Sequence, residues 1–90
     1  MRGDWRVIDR GVNGGPFLWK RRGTSLYVMI NIFNPQAKKC YLVLALRSSP
    51  YQQNDLNGRI IGKGCSKEPN DWVLAYQKAR EIAERYMDKN

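Results

Sequence analysis

Basic side chains are the most abundant chemistry-bearing groups of this 90-residue chain. Sixteen lysines and arginines stand against eight aspartates and glutamates, so the formal net charge is +8. Twelve of the bases but only three of the acids precede Glu68, whereas four bases and five acids follow from that residue onward. Because the excess is confined to one part of the chain, it favours a polyanionic partner over a charge that merely keeps the protein in solution.

The residues that enzymes commonly use are missing or isolated. There is no histidine, which removes His-based triads, a histidine general base and most zinc sites. Cys40 and Cys65 therefore lack a histidine base, and the acids are too scattered for a metal site. The segment 58–63 has three residues between its glycines, where a phosphate-binding loop needs four and then Ser or Thr after the lysine. The sequence predicts a protein that is not an enzyme and that uses neither a metal nor another cofactor.

Two basic runs suit the backbone of a nucleic acid. Lysine and arginine bind phosphates without reading sequence. An asparagine or arginine on a sheet can reach base edges in the major groove, and exposed aromatic rings stack on unpaired bases. The candidate phosphate contacts are Lys20, Arg21, Arg22, Lys38 and Lys39, the candidate base contacts are Asn31 and Arg47, and the candidate stacking rings are Tyr27, Phe33 and Tyr41.

A β-hairpin must position most of these side chains. Residues 26–33 and 39–47 each alternate between two faces, and the segment 34–38 between them has the asparagine and proline of a turn. We expect the aliphatic faces of the two strands to form one buried side. Those faces consist of Leu26, Val28, Ile30 and Ile32 in the first strand and of Cys40, Leu42, Leu44 and Leu46 in the second.

The rest of the chain completes one α+β domain over residues 1–90. Residues 17–22 form a third strand, and residues 4–10 and 59–63 are candidates for further short strands. Apolar residues recur at helical spacing from Trp72 to Met87, which predicts a helix over 69–87 that lies on the aliphatic face. The fold class is an antiparallel sheet of three to four strands packed on one C-terminal helix. It divides into an N-terminal segment 1–16, a sheet 17–64 with a polar loop 48–58, and the helix 69–87.

The second face of the sheet is open to two interpretations. It carries Tyr27, Phe33 and Tyr41 beside Met29 and Val43, so it is rather apolar for a surface that reads a DNA groove. It either faces a nucleic acid or is covered by the N-terminal segment or by a second copy of the chain. In the second case, the basic side chains would act from edges and loops only.

Three segments resemble a known family of DNA-binding domains. Residues 17–23 (FLWKRRG), 26–28 (LYV) and 34–39 (NPQAKK) resemble the N-terminal arm-binding domains of phage-type tyrosine recombinases, the integrases, and the similar domain of plant ethylene-response factors. The resemblance implies a three-stranded antiparallel sheet that enters the major groove and packs on one C-terminal helix. The DNA contacts it supports are Lys20, Arg21, Arg22, Asn31, Lys38, Lys39 and Arg47.

The function expected from the sequence is binding of double-stranded DNA by the sheet and the basic loops. One alternative is a binder of single-stranded DNA or RNA that uses the sheet aromatics. Another is a protein-interaction module or small inhibitor that forms a homodimer through the sheet. Apolar runs are too short to span a membrane, and the N-terminus has no apolar stretch of a signal peptide. Two cysteines permit one disulfide but are typical of no secreted framework, so we expect a cytoplasmic protein that does not contact membranes.

Overall fold

The described residues form five strands and one helix. The computed structural model describes residues 4–11, 14–33, 39–51, 58–66 and 72–90. The strands lie in the sheet in chain order, and every neighbouring pair is antiparallel. The elements are β1 (Trp5–Arg10), β2 (Pro16–Arg21), β3 (Tyr27–Phe33), β4 (Cys40–Leu46), β5 (Arg59–Cys65) and α1 (Trp72–Lys89).

The α+β fold with one C-terminal helix on an antiparallel sheet is confirmed. The sheet has five strands rather than three or four, because both of the short flanking segments pair with it as edge strands. β1 joins β2, and β5 joins β4. The first residues of the expected helix, 69–71, lie outside the described part of the chain, and α1 continues to Lys89.

The register of the central hairpin corrects the expected buried side. Val28 lies opposite Ala45, and Ile30 lies opposite Val43. The aliphatic face of β3 therefore shares its side of the sheet with the odd-numbered residues of β4, and Leu42 and Leu44 lie on the other side. Both faces of β4 are apolar, so the alternation alone could not decide which one the helix covers.

Small residues allow α1 to lie close to the sheet. Ala75, Ala79 and Ala83 recur every four residues on one face of the helix, and all three are fully buried. Gly62 of β5 also lies close to the helix. A Cβ on this glycine would lie only 2.6 Å from Cγ2 of Ile82. The apolar core of the domain is formed between this face of α1 and the sheet.

The N-terminal segment forms the edge strand β1, and its Trp5 side chain lies on the helix side of the sheet. The alternative in which it covers the second face is wrong, because residues 5–10 pair with β2 and Trp5 packs in the core cluster beneath α1. Trp5 is buried and lies opposite Arg21 in β2. The segment thus extends the sheet by one strand instead of forming a second layer.

The sheet face opposite α1, which we call the outer face, is partly covered by the chain itself. After β4, residues 48–51 lead toward β1, where the Tyr51 hydroxyl donates to the carboxylate of Asp9. Leu18, Leu44 and Leu46 of the outer face are buried. Its exposed residues include Phe33 at the far end of β3 and Ile60 on the edge strand β5. Residues 52–57 of the expected polar loop lie outside the described part of the chain.

A disulfide joins β4 to the edge strand β5 on the outer face. Cys40 and Cys65 lie directly opposite each other in the two strands and are bonded, so the single disulfide that the cysteine count permitted is present. Within the described residues, no helix has both the length and the apolar character needed to cross a membrane.

Candidate nucleic-acid interface

Six basic residues gather at the end of the sheet where β2 turns into β3. Trp5 lies opposite Arg21, and Tyr27 lies opposite Leu46, so the start of β1, the end of β2 and the end of β4 meet there. β5 begins at the same end. We call this region the basic end; its members are Arg6, Lys20, Arg21, Arg22, Arg47 and Arg59.

The turn between β2 and β3 sets the position of the first arginines. Thr24 closes it, since its side-chain hydroxyl donates to the Arg21 carbonyl at 3.0 Å and accepts from the Leu26 amide at 3.2 Å. Gly23 supplies the left-handed conformation at φ 71° that a tight turn requires. The Arg22 amide donates to the carbonyl of Asp4 at 2.7 Å. The backbone of this turn is therefore fixed, and the Arg22 side chain extends into solvent.

Arg47 and Arg59 flank a cleft between the sheet and the end of the helix. The cleft has a volume of about 540 Å³ and is also lined by Tyr86 and Asn90 of the C-terminal helical segment. The carbonyl end of a helix carries a partial negative charge that stabilises nearby cations. Both residues are exposed.

The basic end differs from the helix in how its charges are paired. Within the described residues, none of its six side chains forms a salt bridge. By contrast, Arg80 on the helix is paired with Glu84, with 2.8 Å between Nε and Oε1. Six cations without a salt-bridge partner among the described residues produce a positive potential that attracts polyanions.

The structure divides the expected phosphate contacts between two ends of the sheet. Arg21 and Arg22 lie at the basic end, whereas Lys39 lies at the other end, just before β4. β3 separates them and, with seven residues, spans roughly 20 Å. Lys38, the second residue of the expected hairpin tip, lies outside the described part of the chain.

The residues expected to contact bases are also separated. Lys20 and Tyr27 lie opposite each other on the outer face, with the Lys20 ammonium 5.8 Å from the centre of the ring. Asn31 and Phe33 lie farther along β3 toward the opposite end of the sheet, and both are exposed. Arg47 belongs to the basic end, so it does not lie beside Asn31.

The expected position of Tyr41 on the uncovered face is wrong. Tyr41 lies opposite Ile32 on the helix side and is part of the buried core. The tyrosine is therefore unavailable for stacking on a base. The cause is the hairpin register, which places the odd-numbered residues of β4 beneath α1.

Two members of the basic end were missed in the sequence. Arg6 lies opposite Lys20 and is exposed, and Arg59 lies opposite Ala45 at the start of β5. Both belong to the segments that were only candidates for short strands. The available signal was their charge within these segments, and strand pairing was needed to bring them beside β2 and β4.

Comparisons with known proteins identify no family for this chain. No family model matches it, and neither a curated protein nor a solved structure is found to be similar. The resemblance to integrase arm-binding domains therefore stays a prediction. The three-stranded sheet implied by that resemblance is extended here by an additional strand at each edge.

Proposed function

We propose that this protein binds double-stranded DNA, and that the basic end holds its phosphates. The observation that carries the proposal is the group of six basic side chains at one end of the sheet, none of which has a salt-bridge partner among the described residues. Exposed lysines and arginines that neutralise phosphates release counterions from DNA, and this release drives binding.

The spacing of the strands supports a contact with both sides of a groove. Arg21 and Arg59 belong to β2 and β5, which are three strand positions apart. At about 4.8 Å for each spacing, these two strands lie roughly 14 Å apart, close to the width of the major groove at about 12 Å. Arginines at the two sides of the basic end can thus reach phosphates of both DNA strands.

The separation of Asn31 from the basic end favours binding without strong sequence preference. Asn31 lies four residues along β3 from Tyr27, which corresponds to roughly 13 Å. Asn31 is therefore displaced along the strand from the phosphate contacts that we propose for Arg21 and Arg22. Phosphate contacts position a protein on DNA without selecting a sequence.

The rival in which aromatic rings stack on single strands has less support. Tyr41 is buried in the core, and Tyr27 is half-buried beneath the ammonium of Lys20. Phe33 is exposed but lies at the opposite end of β3 from the basic end. A stacking surface needs several exposed rings along a positively charged path.

The test is fluorescence anisotropy of labelled duplex DNA, single-stranded DNA and RNA hairpins at three salt concentrations. With about six phosphate contacts, log K should fall with log salt at a slope near −5. The double variant Arg22→Glu/Arg47→Glu should reduce the magnitude of this slope by about 2. It should also lower the affinity for every duplex sequence at least about tenfold. The matched control is Lys63→Glu/Lys78→Glu, which changes the net charge equally at exposed positions outside the basic end.

Three results would contradict the proposal. A slope near zero would exclude phosphate binding, and equal losses in both double variants would show that only net charge matters. Tighter binding of single strands than of duplexes would indicate that the site is formed by Phe33 and Tyr27 instead. If no nucleic acid binds and the protein forms a concentration-dependent dimer, the interaction-module alternative takes the place of this proposal.

The location expected for such a protein can be tested through its disulfide. We propose a cytoplasmic location, where nucleic acids are accessible, although thiols are normally kept reduced there. The Cys40–Cys65 bond provides the test, because both cysteines should be free thiols in a cytoplasmic protein. Cells are quenched in acid and the thiols are alkylated under denaturing conditions, because Cys40 is buried in the folded protein. Both cysteines should then be labelled if the protein is cytoplasmic. Complete protection of both cysteines would contradict that location.

A further inference from the structure

A second cleft opens on the helix side, at the end of the sheet opposite the basic end. It lies between the first turns of α1, β3 and the connection from β1 to β2, and its volume is about 670 Å³. Pockets that bind small molecules have volumes of about 300–1,000 Å³. The apolar side chains lining it are Phe17, Ile30, Ile32, Trp72 and Val73.

Large apolar side chains at the rim of this cleft are exposed to solvent. Trp72 and Val73 on the first turn of α1 are 38% and 50% exposed. Phe17 and Ile32 beneath them are only partly buried and pack against the core. Contiguous apolar surface of this kind is typical of a ligand or partner site.

One wall of the cleft has cationic and hydrogen-bonding groups. Arg80 lies on α1 one turn after Tyr76, and both line the cleft. The guanidinium donates through Nε to Glu84 and also interacts with the Tyr76 hydroxyl, and both contacts hold it in place. Its remaining N–H groups can bind a ligand. Arg80 is the one charged side chain among the described residues that line the cleft.

We propose that this cleft binds a small amphiphilic carboxylate, with its apolar body against Phe17 and Ile32 and its carboxylate on Arg80. A guanidinium and a carboxylate form paired, charge-assisted hydrogen bonds, which orient the anionic end of a ligand. The apolar lining removes the hydrocarbon part from water. The cleft and the basic end lie at opposite ends of the sheet, so this site is separate from the one proposed for DNA.

Isothermal titration with decanoate and with decanol tests the proposal. Both probes have the same hydrocarbon chain, and only decanoate has a charge. We expect one decanoate per chain and at least about tenfold weaker binding of decanol, because decanol lacks the charged hydrogen bonds to Arg80. Arg80→Gln should reduce the affinity for decanoate to that for decanol and leave decanol unaffected. Arg85→Gln, at an exposed helix position that does not line the cleft, is the matched control.

A second pair of variants tests the apolar wall without disturbing the core. Val73→Asp should weaken both probes at least about tenfold, because it places a charge at the half-exposed rim. The neighbouring substitution Leu74→Asp should leave both affinities unchanged, because Leu74 does not line the cleft. Circular dichroism of each variant verifies that the fold is retained.

Several outcomes would overturn the assignment. The titration with decanoate could give no saturable heat, or several decanoate molecules could bind to each chain. Arg80→Gln and Arg85→Gln could also reduce the affinity for decanoate equally. Displacement of decanoate by duplex DNA would place the carboxylate at the basic end instead. The two proposals fail independently, since Arg22→Glu/Arg47→Glu should abolish DNA binding and leave decanoate binding intact.

Discussion

At the scale of single residues, close contacts connect the first strands to the helix. The Tyr76 hydroxyl donates to the carbonyl of Pro16 at 2.5 Å. This contact requires the absence of a side chain at position 15, where a Cβ would lie 2.7 Å from the hydroxyl oxygen and 2.8 Å from Cζ of Tyr76. Position 15 must therefore be a glycine to make room for Tyr76, which lies 61 positions later in the chain. The sequence around Gly15 does not reveal this requirement.

Gly15→Ala should destabilise the protein by about 1–3 kcal/mol, because the added methyl group forces Tyr76 away from the sheet. Gly11→Ala is the control, since a Cβ there would meet its nearest atoms at 3.7 and 4.0 Å, which are ordinary contacts. Urea denaturation of both variants measures the free energies of unfolding. Equal values for the two variants would show that Tyr76 does not need this space.

Tyr76 should also make the stability depend on pH in the alkaline range. Burial raises the pKa of its hydroxyl above the ordinary value of about 10, although the Arg80 charge opposes this shift. Because the folded-state pKa is raised, the stabilisation is complete below about pH 10 and is lost as the pH rises through the folded-state pKa.

Tyr76→Phe removes this hydrogen bond and should cost about 1 kcal/mol at pH 8. The difference from the wild type should shrink at pH 11, because the hydroxyl ionises more readily in the unfolded chain than in the folded protein. Urea denaturation at the two pH values measures it, and tyrosinate absorbance identifies the group. A Tyr76 titration midpoint at or below pH 10 would contradict the interpretation.

At the scale of elements, β5 is held to the sheet by pairing and by a covalent bond. It is an edge strand with exposed Arg59 and Ile60, and it carries three of the residues discussed above, Arg59, Gly62 and Cys65. The disulfide joins residues 25 positions apart. It therefore closes the chain segment that contains residues 48–58, which connect β4 to β5.

The double variant Cys40→Ser/Cys65→Ser should lower the free energy of unfolding by about 3 kcal/mol, mainly because the unfolded chain gains the entropy of an open loop of this length. Urea denaturation of the oxidised protein, the reduced protein and the variant measures the effect. Reducing agent should destabilise the wild type and leave the variant unchanged. A variant as stable as the oxidised protein would contradict a structural role of the bond.

At the scale of the whole molecule, the charge is divided between the sheet and the helix. The net charge of +8 comes from the strands and their connections, and much of it meets at the basic end. Unpaired cations near one another repel and oppose folding. A cluster of this kind stabilises a complex with a polyanion and destabilises the free protein.

Salt should therefore stabilise the free protein. Raising sodium chloride from about 0.02 to 0.5 M screens the repulsion and should raise the melting temperature. Arg22→Glu/Arg47→Glu lowers the formal charge from +8 by four units and should reduce this salt effect while leaving the fold intact. Differential scanning calorimetry measures both proteins. A salt effect that is unchanged in the variant would show that the basic end is not under electrostatic strain.

Local patterns determined the elements of this protein. Alternation identified β3 and β4, and the spacing of apolar residues from Trp72 to Met87 identified the helix. The candidate segments 4–10 and 59–63 became β1 and β5. These patterns suffice because strands and helices expose their faces with fixed periods of about 2 and 3.6 residues. The uneven charge was likewise visible in the sequence.

Only the tertiary structure decided which side chains share a surface. The register of β3 and β4 placed Tyr41 beneath the helix, and a shift by one residue would have placed it outside. Pairing of the edge strands brought Arg6 and Arg59 to the basic end and left Lys39 at the other end of the sheet. Composition and period determine faces within one element, whereas hydrogen-bond pairing between distant segments determines which faces meet.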